Sequence, residues 1–103
     1  MQPVSKFMMY GKLTALSGKR GELVAILLEA VQQLEDNEDC YLYIVSISDE
    51  DADSVWATEL WKDAAAHAAS LTDESALALL QRGRPLIAGV SPIRLKALGG
   101  KGF

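Results

Sequence analysis

Residues 6–16, KFMMYGKLTAL, are apolar on both sides when read as a strand, and no other feature narrows the fold so far. Successive side chains of a strand point to opposite faces. Phe7, Met9, Gly11 and Leu13 therefore share one face, and Met8, Tyr10, Lys12, Thr14 and Leu16 the other. A strand with one face in water would carry polar residues there. This one needs cover on both sides. Across residues 19–34 the period changes. Leu23, Ile26, Leu27, Ala30, Val31 and Leu34 recur at steps of three and four, the spacing of one helical face. Ser17 or Gly18 is expected to start that helix, with Glu22 suited to the positive end of its dipole.

After a solvated EDNED loop, Cys40–Ser48 is the second strand, with Tyr41, Tyr43, Val45 and Ile47 opposite Leu42 and Ile44. The acidic residues 49–53 are expected to form a connecting turn, since they lack the Gly and terminal Glu of a calcium loop. Residues 54–61 are the third strand, alternating Val55, Ala57, Glu59 and Trp61 against Trp56, Thr58 and Leu60. Residues 62–70 are Ala-rich and helical. A further helix begins near Thr72 and runs through Leu80, with Gly83 and Pro85 interrupting it. Residues 93–98 are the last strand, and GGKGF is expected to be a loose tail. Strand, helix, strand, strand, helix, strand is the ferredoxin-like βαββαβ order. It makes an α+β fold with a four-stranded antiparallel sheet and helices on one face. The helices leave the second apolar face open, and a second copy packed sheet to sheet would cover it as a two-fold homodimer.

One domain, residues 1–103 with a Gly-rich tail at 98–103, suits the length. Half the residues are hydrophobic and 23% are charged, which is too apolar for a disordered chain. A net charge of −4 argues against nucleic acid as partner, because binding phosphates needs clustered Lys and Arg. The single cysteine, Cys40, leaves no intramolecular disulfide and no cysteine zinc cage. The start, MQPVSKFMMY, lacks the apolar core of a secretion signal, and no apolar run nears the ~18 residues that span a bilayer. A cytoplasmic protein without a membrane partner is expected.

Two residues stand out as candidate chemistry. Glu59 is a lone carboxylate on an otherwise apolar strand face, where an unpaired charge costs several kcal/mol. Either it pairs with Arg94 or Arg82, or its pKa is raised and it takes part in chemistry. The only histidine, His67, follows Trp61 by six residues within AAAHAAS, where small neighbours leave room for a ligand or for close packing. It is either a partly buried structural histidine or a general base. The loop LSGKRGEL lacks both the Walker and the GxGxxG spacing, and no His, Asp or Glu cluster has metal-ligand spacing.

The segment with Glu59, Trp61 and His67, and the closing Leu98-Gly99-Gly100-Lys101-Gly102, resemble the antibiotic biosynthesis monooxygenase (ABM) family, within it the quinol monooxygenase-like proteins. The resemblance implies a ferredoxin-like fold paired into a dimeric α+β barrel, with a ligand cavity between sheet and helices. It also implies oxygenation of a quinol or polycyclic phenol by O₂ without flavin, metal or other cofactor. His67 would then be the base or an orienter, Glu59 its partner or a second proton acceptor, and Trp61 a wall of the site. Tyr43 and Tyr10 would be donors to a substrate oxygen. A non-catalytic dimer binding a small hydrophobic metabolite is the alternative. Haem degradation, also found in this family, fits less well, because the first-strand Asn of those enzymes has no counterpart: the sole Asn is Asn37.

Overall fold

A computed structural model describes residues 5–103. Residues 1–4 of the stretch read above for a secretion signal lie outside the described residues. The elements run β1 (Lys6–Ala15), α1 (Arg20–Gln33), β2 (Cys40–Ser48), β3 (Asp51–Trp61), α2 (Ala64–Ser70), α3 (Glu74–Gly83), a 3₁₀ turn (Arg84–Leu86) and β4 (Ile87–Ala97). The strands form one antiparallel sheet in the order β2-β3-β1-β4. This is the expected ferredoxin-like α+β architecture.

Register places the site before any side chain is considered. Arg94, Met9, Glu59 and Tyr43 form one row across β4, β1, β3 and β2, and Lys96, Phe7, Trp61 and Cys40 form the next. On this face Leu23 of α1, Ala15 and Val55 make the buried core, with Leu13, Leu27, Val45 and Ile87 packed around them. The opposite face carries the rows Leu42, Leu60, Met8, Leu95 and Ile44, Thr58, Tyr10, Ile93. Of these, Tyr10, Ile44, Ile93 and Leu95 are exposed in the single chain. The two-sided apolarity of β1 thus resolves into a helix-covered face and an open one.

Several boundaries differ from expectation, each for a local reason. Helix α1 starts from Lys19 without a side-chain cap, since Ser17 and Gly18 lie in the preceding turn and Gly18 takes φ +77°. Strand β3 begins at Asp51 rather than Ser54. The Asp51 carbonyl accepts from Arg20 Nη1 at 2.7 Å and its carboxylate from Ser54 Oγ at 2.6 Å, which draws the acidic run into the sheet. Strand β4 begins at Ile87, six residues earlier than expected. Pro85 falls in the 3₁₀ turn, and Pro92 is tolerated because β4 is an edge strand paired only with β1. A register shift between Cys40 and Leu42 breaks the alternation at Tyr41. The tail is not loose at its end: Lys6 Nζ donates to the Phe103 main-chain oxygen at 2.7 Å and sits between the Tyr41 and Phe103 rings. Among the described residues, no helix is long and apolar enough to cross a membrane.

Candidate active site

Strand β3 ends at Trp61, and the chain turns within two residues into α2, so the helix lies directly over the strand it has just left. Asp63 caps α2, its carboxylate accepting from the Ala66 N–H at 2.7 Å. One turn later His67 points at the sheet. The alanines flanking it keep the helix close to the strands, and His67 is only 8% exposed. It packs against Phe7 (ring centroids 5.2 Å apart) and edge-on to Trp61 (5.4 Å). Its Nε2 lies 3.7 Å from Glu59 Oε1. Glu59 in turn accepts a hydrogen bond from Trp61 Nε1 at 3.0 Å. These side chains come together because β3 alternation puts Glu59 and Trp61 on one face, and α2 returns over that face.

The arginines considered as partners for Glu59 are elsewhere. Arg82 Nη1 donates to Glu29 on the helical surface at 2.6 Å. Arg94 lies across the sheet with Met9 intervening in the row. Burial therefore dominates the protonation of the cluster. It pushes the Glu59 pKa above its ordinary value, against the lowering effect of the Trp61 bond. Burial likewise pushes His67 below its ordinary value, and the Arg94 charge adds to that. Tyr43, beside Glu59 in the sheet, is raised by burial and by the Glu59 carboxylate, so its hydroxyl stays protonated. These shifts favour a neutral imidazole and a protonated phenol beside Glu59, which accepts the Trp61 bond.

Glu59, Trp61, His67 and Tyr43 line a cavity of about 500 Å³, within the roughly 300–1,000 Å³ of small-molecule sites. Its walls come from the inner faces of α1 (Leu23, Ile26, Leu27, Ala30) and α3 (Ala76, Leu79, Leu80), with Leu13 and Ile87 from the sheet. Its outer polar positions are Gln33, Asn37, Asp39, Ser70 and Asp73. Tyr10 is not brought to this cavity. Its register partners Thr58 and Ile93 place it on the open face of the sheet. Phe7 and the outer polar residues were not singled out from the sequence. Phe7 reads there as one more apolar strand residue, and the α1 stripe gives no sign that part of it borders space rather than core.

The sign of the Glu59 effect on stability is testable. A carboxylate whose pKa is raised by folding leaves stability whole below its ordinary 4.5 and reduces it as pH climbs through the folded value. Glu59→Gln keeps an acceptor for Trp61 Nε1 but carries no charge. The variant is expected to be more stable than the parent by on the order of 1 kcal/mol at pH 8, the difference vanishing toward pH 4. Urea unfolding at the two pH values reads this. A less stable variant at pH 8 would show that ionised Glu59 gains more from its partners than burial costs it.

The family model described as antibiotic biosynthesis monooxygenase matches residues 6–82. A solved structure from Chloroflexus aurantiacus J-10-fl, named for the same family, is 33% identical, with 92% of this chain and 95% of that one covered at a TM-score of 0.84. A Pseudomonas aeruginosa structure, 20% identical, covers 96% and 100% at a TM-score of 0.84. One from Deinococcus radiodurans, also named for the family and 19% identical, covers 91% and 94% at 0.80. These last two show the shared fold. No curated protein matches the chain.

Proposed function

The chain belongs to the antibiotic biosynthesis monooxygenase family, and from that premise we propose that it oxygenates a quinol or polycyclic phenol with O₂. In this reading it works as a cytoplasmic homodimer, and all the electrons come from the substrate. The observation that carries the proposal is His67, neutral and buried beside Glu59 on the wall of an apolar cavity.

The neutral imidazole accepts the phenolic proton. With Nε2–H toward Glu59, the lone pair is on Nδ1, and the imidazolium formed there faces the Glu59 carboxylate 3.7 Å away. The phenolate then passes an electron to O₂ within this largely apolar cavity. A ring C–H becomes C=O, the phenol becomes a quinone, and the second oxygen atom leaves as water with the two hydrogens. Atoms and electrons balance without an external reductant. Tyr43, held protonated, supplies an O–H to a substrate oxygen. Trp61 forms a wall and holds Glu59 in place through Nε1.

The test is oxygen uptake by the purified, metal-stripped protein against hydroquinones and fused-ring phenols. Uptake that requires His67 supports the reading. A ligand that binds with no uptake across the panel would instead make the protein a binder of a small hydrophobic metabolite.

The homodimer has its own test on the open sheet face, which carries Tyr10. Ile93 is 49% exposed there, so Ile93→Lys leaves the single chain's packing intact while placing a charge in the contact. Sedimentation is expected to shift from dimer to monomer, with secondary structure unchanged. A variant that stays dimeric places the contact elsewhere.

A further inference from the structure

Resting on the oxygenase reading of this cavity, we propose that the site selects its substrate by charge. Neutral and cationic phenols enter, anionic ones are turned away, and Asp39 and Asp73 at the rim discriminate between them.

The argument begins with which charges border the cavity. Among the described residues, carboxylates line it at three points: Glu59 within, and Asp39 and Asp73 where the lining residues become exposed. No Lys or Arg lines it. The helix ends at the rim bring no uncompensated positive charge. Helix α1 ends at this rim with no basic residue in its last turn, so no side-chain cation offsets the negative end of its dipole. Helix α3 begins there, but Asp73 caps it and Glu74 sits in its first turn, which offsets the positive end of its dipole.

The nearby cations stand outside the lining. Arg82 is held by Glu29. Arg94 stands on β4, with Met9 between it and Glu59 in the row; its charge is felt at His67, but it does not line the cavity. Lys62 meets Asp39 through the main chain, its N–H donating to the Asp39 carbonyl at 2.9 Å, and it does not line the cavity. A carboxylate or sulfonate carried inward would therefore lose its hydration without gaining a cation to pair with, beside walls that are mostly apolar. An ammonium at the far end of a phenol whose hydroxyl reaches His67 would stop at the carboxylate rim.

The test is equilibrium binding of three matched probes: 2-naphthol, 6-hydroxy-2-naphthoate and 6-(aminomethyl)-2-naphthol. Quenching of Trp fluorescence under nitrogen follows binding apart from turnover. The amine is expected to bind about tenfold more tightly than the carboxylate at low ionic strength, with the neutral phenol between them. The gap should shrink in about 0.5 M NaCl, where screening is short-ranged. In Asp39→Asn combined with Asp73→Asn the gap should close by about threefold or more. Asparagine keeps the cap on α3. Carboxylate binding as tight as the amine's, a gap unchanged in the double variant, or no binding of any probe would each overturn the proposal. Oxygen uptake on the same probes is scored separately. A preserved charge order without uptake sinks the oxygenase reading and leaves the selectivity standing, and uptake without a charge order does the reverse.

Discussion

Replacing His67 with alanine is expected to lower oxygen uptake by about 10²–10⁴-fold, the usual contribution of a positioned general base. The fold should survive, because the lost ring borders the cavity and leaves the α2 cap on Asp63 untouched. The same residue predicts the pH profile. Burial and the Arg94 charge hold the His67 pKa below its ordinary 6.5. The parent enzyme should therefore keep full activity at neutral pH and lose it on an acid limb below that value, as the imidazole gains a proton. The alanine variant's residual rate should lack this limb. The titration also bears on stability: a group with a depressed folded pKa stabilises above its unfolded value and loses that contribution as pH falls through the folded one. Turnover by the variant equal to that of the parent would remove His67 from the mechanism. An acid limb that persists in the variant would belong to another group.

The largest effect on stability is expected at Trp61. The side chain is 1% exposed and is the largest fully buried one among the described residues. Trp61→Ala should cost about 3–5 kcal/mol, a large part of the roughly 5–15 kcal/mol that holds a domain together. Trp61→Phe separates packing from hydrogen bonding. It keeps a ring but removes the Nε1 donor to Glu59, which leaves that buried carboxylate without its hydrogen bond at a cost of about 1–3 kcal/mol. Losing the donor also raises the Glu59 pKa further, so the phenylalanine variant should be weaker at pH 8 than at pH 5 relative to the parent. Urea unfolding at both pH values separates these contributions. If Trp61→Phe matched the parent at pH 8, the bond from Nε1 would not be supporting a charged Glu59.

Legibility in the sequence followed the length scale of each interaction. Alternation along β3 put Glu59 and Trp61 on one face, and the β3–α2 turn is so short that His67 had to come back near them. The Glu59–His67 pairing was not legible as such, because the charges on the chain offered Arg94 and Arg82 as partners. Only the sheet order showed that Met9 separates Arg94 from Glu59 and that Arg82 belongs to Glu29. Tyr10 illustrates the opposite case. Its aromatic hydroxyl suited a substrate contact, yet its parity along β1 is that of Met8 and Lys12, and strand pairing sends that parity to the open face. Strand β4 also runs through Pro92, because an edge strand leaves the missing N–H unneeded.

The sequence by itself determined the element order, the two-sided apolarity of β1, the family and the closeness of Glu59, Trp61 and His67. Periodicity and short connections are local, and local constraints are written along the chain. Tertiary structure alone decided that the α1 and α3 stripes stand apart far enough to leave a cavity. It also decided that Tyr43 faces that cavity while Tyr10 does not, and that the acidic residues at positions 39 and 73 both line it. Those outcomes depend on how strands register and how far helices stand from the sheet. Both are set by packing among residues distant in sequence, which no single segment records.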